Sequence, residues 1–320
     1  MSSYRNKIGI ILIGLVLLGF VILLTVDEEP EPEKQEPAQA PEVVYAPSAM
    51  PPISENPATG LVVDKDTVLD QDLLFNDKKY ELLAAVTQDN VTLDCRGHKI
   101  AGNANYGINI HEVKGVKVKN CAIDGPFQGI NIWSVDDVLI MNTSLNVRMN
   151  GMHVIDTKGV ILDNVTMHPD LEPGKGFAVE IKRTKNAIVR KCSMRGFDQG
   201  ILLYGTTEFT VKDNLIQNIT ETGIGTFMIV KEMTTGNGRI ENNHIQKALM
   251  GMEIHSGSHN IHIANNRVEN CRIPLRMDDE HKTSRYTPVT DIVLEGNIMK
   301  DNIDPPDIVI KDKESITWKR

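Results

Sequence analysis

The chain has 320 residues, a formal net charge of -9 and 5% aromatic residues. That suits one large domain with an appendage, and the lack of any basic run or stacking-aromatic motif argues against a nucleic-acid binder.

Residues 1–7 are a short N-terminal segment in which Arg5 and Lys7 precede an apolar stretch of 19 residues, 8–26. As a helix this stretch spans about 28 Å, enough to cross a bilayer. Asp27, Glu28 and Glu29 come directly after it, so the cytoplasmic preference of basic residues puts residues 1–7 inside and the remainder outside. A cleaved signal peptide has a shorter apolar region that ends at a small-residue site. Here the nearest such site, Ala38-Gln39-Ala40, lies well beyond the apolar end. The expectation is a single-pass signal anchor at residues 8–26 in the cell membrane, with the rest on the periplasmic or extracellular side. Residues 27–60, rich in Glu and Pro, cannot form a core and read as an extended linker. Residues 61–90 read as strands capping the open apolar end of the repeats beyond them.

Residues 91–320 repeat. Segments starting at Val91 (VTLDCRGHKI), Val116, Val138, Val160, Ala187, Phe209, Gly238, Ile261 and Ile292 carry Leu, Ile or Val at their third position, and an apolar residue at the eighth in all but the first. Their starts are 25, 22, 22, 27, 22, 29, 23 and 31 residues apart. A minimum period of 22 with insertions in a few places is the signature of a stacked coil. Each segment precedes a second short strand usually opened by glycine, at Gly107, Gly129, Gly151, Gly176, Gly200 and Gly251. Alternation in such short strands, without helix-length patterns between them, argues for β-coils. The sixth position runs Cys121, Thr143, Val165, Cys192, Asn214, Asn243, Asn266, Asn297. Stacked inward Asn side chains there would satisfy one another from coil to coil.

The Asn ladder, the V-x-V-x-N-N-x-I strands and the opening Val91-Thr92-Leu93-Asp94-Cys95-Arg96-Gly97-His98 resemble the right-handed parallel β-helix superfamily of pectate lyases and related proteins. The fold class implied is all-β: a right-handed single-stranded parallel β-helix of about nine coils, preceded by one transmembrane helix. The resemblance also implies a ligand groove along the glycine-opened strands, walled by the insertions at residues 167–175, 227–237 and 278–290. On those strands the first and third residues after Gly point inward and the second and fourth outward. The outward stripe holds Asn109, His111, Asn131, Trp133, His153, Glu180, Lys182, Tyr204, Glu253, His255, Arg276 and Asp278.

Abstraction of a proton beside a uronate carboxylate needs a His, Tyr or Lys base and a cation or metal for the developing charge. His153, Lys182, Tyr204 and Glu180 are the catalytic candidates; Asn131, Trp133, Glu253, His255 and Arg276 are the substrate-binding ones, though His255 and Arg276 could equally supply the base and the cation. Hydrolysis needs paired carboxylates, for which only Glu253 with Asp278 offers itself. No enzyme family is identified. Arg272-Ile273-Pro274-Leu275-Arg276 lacks the Arg-x-x-Pro-x-x-Arg spacing of pectate lyases, the polygalacturonase Asp-Asp and Gly-His-Gly set is missing, and His168-Pro169-Asp170 only reverses the Asp-Pro-His of alginate epimerases. Copper-site accessory proteins of the NosD type share this coil, but the spacing of His255, His259 and His262 is not one known to converge on metal. No metal ligand is assigned and Ca²⁺ is left open as a cofactor. Cys95 and Cys121 sit in adjacent coils and are either a disulfide or two buried thiols. The Asn-x-Ser/Thr triplets at Asn90, Asn142, Asn164 and Asn218 arise readily from Asn turns, and no glycosylation is assigned.

Two functional classes remain. One is an anchored protein that binds a polysaccharide or envelope glycan and modifies it as a lyase or C5-epimerase. The other is a non-catalytic envelope scaffold or copper-site maturation accessory.

Overall fold

A computed structural model of the chain describes residues 58–170, 175–229, 233–278, 287–309 and 316–319. The chain divides into two units, Met1–Pro52 and Ile53–Arg320, and the described residues all belong to the second. The expected transmembrane helix at residues 8–26 lies outside them; among the described residues no helix is long and apolar enough to cross a membrane.

The second unit is a right-handed parallel solenoid of about ten turns, where the segments visible in the sequence suggest nine. The difference lies in the segment that reads as a cap. Thr59–Val63 and Leu73–Val86 are in register with the next coil, Leu61 opposite Ala84 and Ala84 opposite Ile108.

Every strand pairs in parallel with its equivalent one turn on, so three sheets run the length of the stack. Sheet A contains Gln128–Trp133, Asn150–Ile155, Phe177–Lys182, Gln199–Tyr204, Thr222–Phe227, Met250–His255 and Ile273–Asp278. Sheet B contains Lys114–Lys119, Lys185–Arg190, Thr210–Lys212 and Ser258–Ala264. Sheet C contains Ala122–Asp124, Ser193–Arg195, His244–Gln246 and Arg267–Glu269. Because register is kept from turn to turn, one inward position becomes a column: Ile108, Ile130, Met152, Val179, Ile201, Ile224, Met252 and Leu275 stack with no exposed surface. Each such side chain contributes roughly 1.5–3 kcal/mol on burial, which explains why the period tolerates no slippage inside a strand.

The corner between sheets B and C explains the sixth-position pattern. Asn120, Asn142 and Asn164 adopt the left-handed conformation there, with φ of 56°, 50° and 55°, a conformation Asn tolerates better than most residues. The next residue turns inward. Asn214, Asn243, Asn266 and Asn297 form a ladder in which each Nδ2 donates to the following Oδ1 at 2.9 Å. In the first half of the coil Thr143 and Cys192 instead donate to the carbonyls of Met141 and Arg190, so the position is interior throughout.

The first segment departs from the pattern for a local reason. Asp94 pairs with Lys119 but Lys99 with Ala122, so its corner holds two more residues than the next one. Ile100 therefore takes the apolar place expected at His98, and Cys95 is carried against Cys121. The two are joined as a disulfide with Cα atoms 4.8 Å apart, which resolves the alternative left open by the sequence. Cys192 and Cys271 are free and buried.

The glycines opening the sheet A strands are required by close approach: a Cβ on Gly129 would lie 2.6 Å from the Gly151 carbonyl oxygen, and one on Gly200 would lie 2.2 Å from that of Gly223. Gly176 is not one of them. Ala178 occupies that place, since Val179 pairs with Met152 and Ile201. The register is offset by two residues, so Glu180 and Lys182 keep their outward direction. Phe177, expected inward, is instead half-buried with its ring 5.6 Å from that of His153.

Candidate functional site

The outward side chains of sheet A form two columns. The first runs Asn109, Asn131, His153, Glu180, Leu202, Gly225, Glu253, Arg276, and the second runs His111, Trp133, Ile155, Lys182, Tyr204. Beyond Tyr204 the second column passes to Phe227, opposite it in register, and then to His255 and Asp278. All the residues singled out from the sequence fall on these columns, because side-chain direction alternates strictly and the turns stack in register.

The stripe is not the solvated row that alternation alone suggests. His153 is 2% exposed and Asn131 0%, and Glu180, Lys182, Glu253 and Asp278 are buried. Groups of this charge persist in such places only when paired. The Glu180 carboxylate lies 2.9 Å from His153 Nε2 and 3.0 Å from Lys182 Nζ. Burial pushes this carboxyl up, but the hydrogen bond and charge of His153 and the charge of Lys182 outweigh it and hold the group below the ordinary carboxylate range. It is therefore ionised at neutral pH.

A second group is arranged around Glu253. Its Oε1 lies 2.8 Å from His255 Nε2, its Oε2 accepts a 2.7 Å hydrogen bond from Thr222 Oγ1, and Arg276 stands one turn on with its own partner, Asp278 Oδ2, at 2.6 Å. Burial again pushes up, and His255, Thr222 and Arg276 together hold Glu253 below the ordinary range. Both Glu180 and Glu253 are thus held towards the ionised form.

Between the two groups lies a stack that the sequence does not announce. The Tyr204 and Phe227 rings are 4.9 Å apart at 19°, Phe227 and His255 are 4.7 Å apart at 26°, and Lys182 Nζ stands 5.4 Å from the Tyr204 ring centre. Phe227 reads as the start of an insertion, yet it ends the strand Thr222–Phe227, for which Gly223-Ile224-Gly225 is the available signal. Stacked rings cover one another's faces and present edges outward. Trp133 differs: its indole is 37% exposed, with His111 tilted against it at 5.0 Å.

Among the described residues no group of three or more His, Cys, Asp and Glu side chains is placed to hold a metal ion. His259 and His262 belong to sheet B, where His262 Nε2 meets Glu295 at 3.0 Å, and so point away from His255. An open cleft of about 590 Å³ runs elsewhere, along the corner between sheets B and C. It is lined by Asn120, Asn142, Ser144, Asn164 and Thr166, with Arg96 as its one charged side chain. It contains no acid or base pair, so the chemistry-bearing surface is the outward face of sheet A.

Comparison with known proteins agrees on the architecture. A family model described as a right handed beta helix region matches residues 128–279. No curated protein matches by sequence. Among solved structures, an alginate lyase from Paenibacillus sp. is similar over 82% of this chain and 94% of its own, at 11% identity and a TM-score of 0.56. A hyperthermoactive exopolygalacturonase from Thermotoga maritima is similar over 82% and 84%, at 10% identity and 0.53. A tailspike protein of an E. coli bacteriophage, solved with a pentasaccharide, is similar over 82% of this chain and 56% of its own, at 10% and 0.52. Likeness at this identity concerns the coil and not the chemistry. The fold is that of a right-handed parallel β-helix, and a family model of that description matches its residues 128–279, with no specific enzyme family marked out.

Proposed function

We propose that this protein binds a glycan along the outward face of sheet A, outside the cytoplasm, while held to the membrane by residues 8–26. The observation that carries the binding reading is Trp133, a large aromatic side chain 37% exposed on this face with the His111 ring tilted against it, beside the buried Asn109–Asn131 amide pair, whose Nδ2 to Oδ1 hydrogen bond is 2.7 Å. An aromatic face suits the C–H groups of a pyranose, and amides suit its hydroxyls. The polysaccharide-related solved structures of the same fold accord with this reading.

A lyase or epimerase step is the second reading, and the geometry moves its centre. His153 is enclosed by its own ion pair, whereas the His255 side chain is 22% exposed, is oriented by Glu253 and stands near Arg276. An imidazole aimed by a carboxylate with a cation beside it fits general-base catalysis better than an enclosed one.

Trp133→Ala is expected to weaken binding of the glycan about tenfold or more under both readings. His255→Gln should leave binding in place and abolish any unsaturated or epimerised product. A panel of neutral and acidic polysaccharides that the wild-type chain neither binds nor alters would refute the proposal.

For the location, the Cys95–Cys121 disulfide suits an oxidising compartment. The full chain is expected in the membrane fraction, accessible to protease from outside, and with these two thiols unreactive to alkylation until reduced. A soluble, cytoplasmic chain with alkylatable Cys95 would contradict it.

A further inference from the structure

We infer that the polymer bound on sheet A is a neutral glycan; this rests on the glycan-binding reading above, specifies its substrate class and sets aside the lyase or epimerase step, which needs a uronate. The cations of the face are already neutralised from within. His153 and Lys182 share Glu180, His255 has Glu253, Arg276 has Asp278, and at the edge of the sheet Arg183 makes two bonds of 2.6 and 2.7 Å to Asp156. A uronate would have to displace one of these carboxylates and leave it buried and ionised without its partner, which is the unfavourable half of a buried ion pair. The long-range field acts the same way, since residues 61–320 carry 35 Asp and Glu against 31 Lys and Arg, a formal net charge of -4, and a polyanion approaches them against repulsion.

The buried polar atoms of this face without a protein hydrogen-bond partner include Arg276 Nε, whose Nη2 is held by Asp278, and two uncharged groups. Besides the indole of Trp133, two buried side chains of the same strand, Gln128 and Asn131, hold polar atoms with no protein partner: the donor Gln128 Nε2 and the acceptor Asn131 Oδ1. Row neighbours of Gln128 reach the outward face, for Phe177 meets His153 and Thr222 meets Glu253. A hydroxyl both donates and accepts, so it can satisfy either atom. A carboxylate only accepts, and it would set oxygen against oxygen at Asn131.

The test is affinity electrophoresis of the full chain in detergent against soluble neutral glucans, mannans and galactans, and against alginate and polygalacturonate, at about 10 mM and about 1 M salt. A neutral polymer is expected to retard the chain equally at both salt concentrations. Trp133→Ala should weaken this retardation about tenfold; because Trp133 is partly exposed, the variant should fold, which near-ultraviolet circular dichroism checks. Retardation by alginate or polygalacturonate alone, falling as salt rises, overturns the neutral assignment and leaves the glycan-binding reading standing. Retardation by none of the polymers overturns both.

Discussion

Asn243→Leu is expected to lower the unfolding free energy by about 3–5 kcal/mol. Asn243 is 1% exposed and its side chain makes four hydrogen bonds to three neighbours. Its Oδ1 accepts from the backbone N–H and the side-chain Nδ2 of Asn214, and its Nδ2 donates to the Val211 carbonyl and to Asn266 Oδ1. Leucine fills the space but makes none of these bonds, and each buried group left without a partner costs on the order of 1–3 kcal/mol before neighbours relax. For a domain of this size each kcal/mol is worth about 2–4 °C in Tm, so a drop of roughly 8–15 °C should appear by calorimetry. Thr143→Val at the equivalent corner loses only a cap on the Met141 carbonyl and should cost about 1 kcal/mol. Equal melting temperatures for the two variants would show that the ladder does not carry the stability assigned to it.

Glu180→Ala should be nearly as damaging, by about 3–5 kcal/mol, because it strands His153 and Lys182 in a buried setting without a counter-charge. The same group predicts the acid limb of stability. The Glu180 carboxyl in the fold lies below its ordinary value of 4.5, so the unfolded chain takes up the proton more readily than the folded one. The stabilisation is therefore complete above pH 4.5 and declines as the pH falls through that value towards the lower folded one. Glu253 behaves in the same sense. Chemical denaturation of wild type across this range should show a steep loss of stability, and Glu180→Gln should flatten it. A wild-type acid limb that the substitution leaves unchanged would mean that Glu180 is not ionised in the fold.

Much of the candidate site is legible along the chain because the coil obeys two simple periods. Alternation by two within a strand assigns Asn131, Trp133, His153, Glu180, Tyr204 and Glu253 to one face, and the turn period aligns them in columns. Phe177, Thr222, Phe227 and Gln128 escape for particular reasons. Gly176 imitates a strand-opening glycine two residues early, the Thr222–Phe227 strand runs straight into an insertion, and Gln128 precedes its strand glycine. Alternation also says which way a side chain points and nothing about whether water reaches it. For that reason His153, a catalytic candidate by type and direction, proves enclosed, while His255, the alternative base, keeps a partly exposed imidazole.

The sequence by itself therefore determined the architecture. A hydrophobic column repeated at 22-residue minimum spacing can be buried only by stacking each turn on the last, and inward Asn residues at a fixed corner are satisfied by one another and by the backbone of the adjacent turns. The tertiary structure alone decided the partnerships. His153 with Glu180, Cys95 with Cys121 and Thr222 with Glu253 are 27, 26 and 31 residues apart, and each depends on how many extra residues a corner or loop absorbs before the register resumes. A pattern of residue types carries no record of that absorbed length, so which charge meets which, and what remains open to a ligand, is settled only when the turns are stacked.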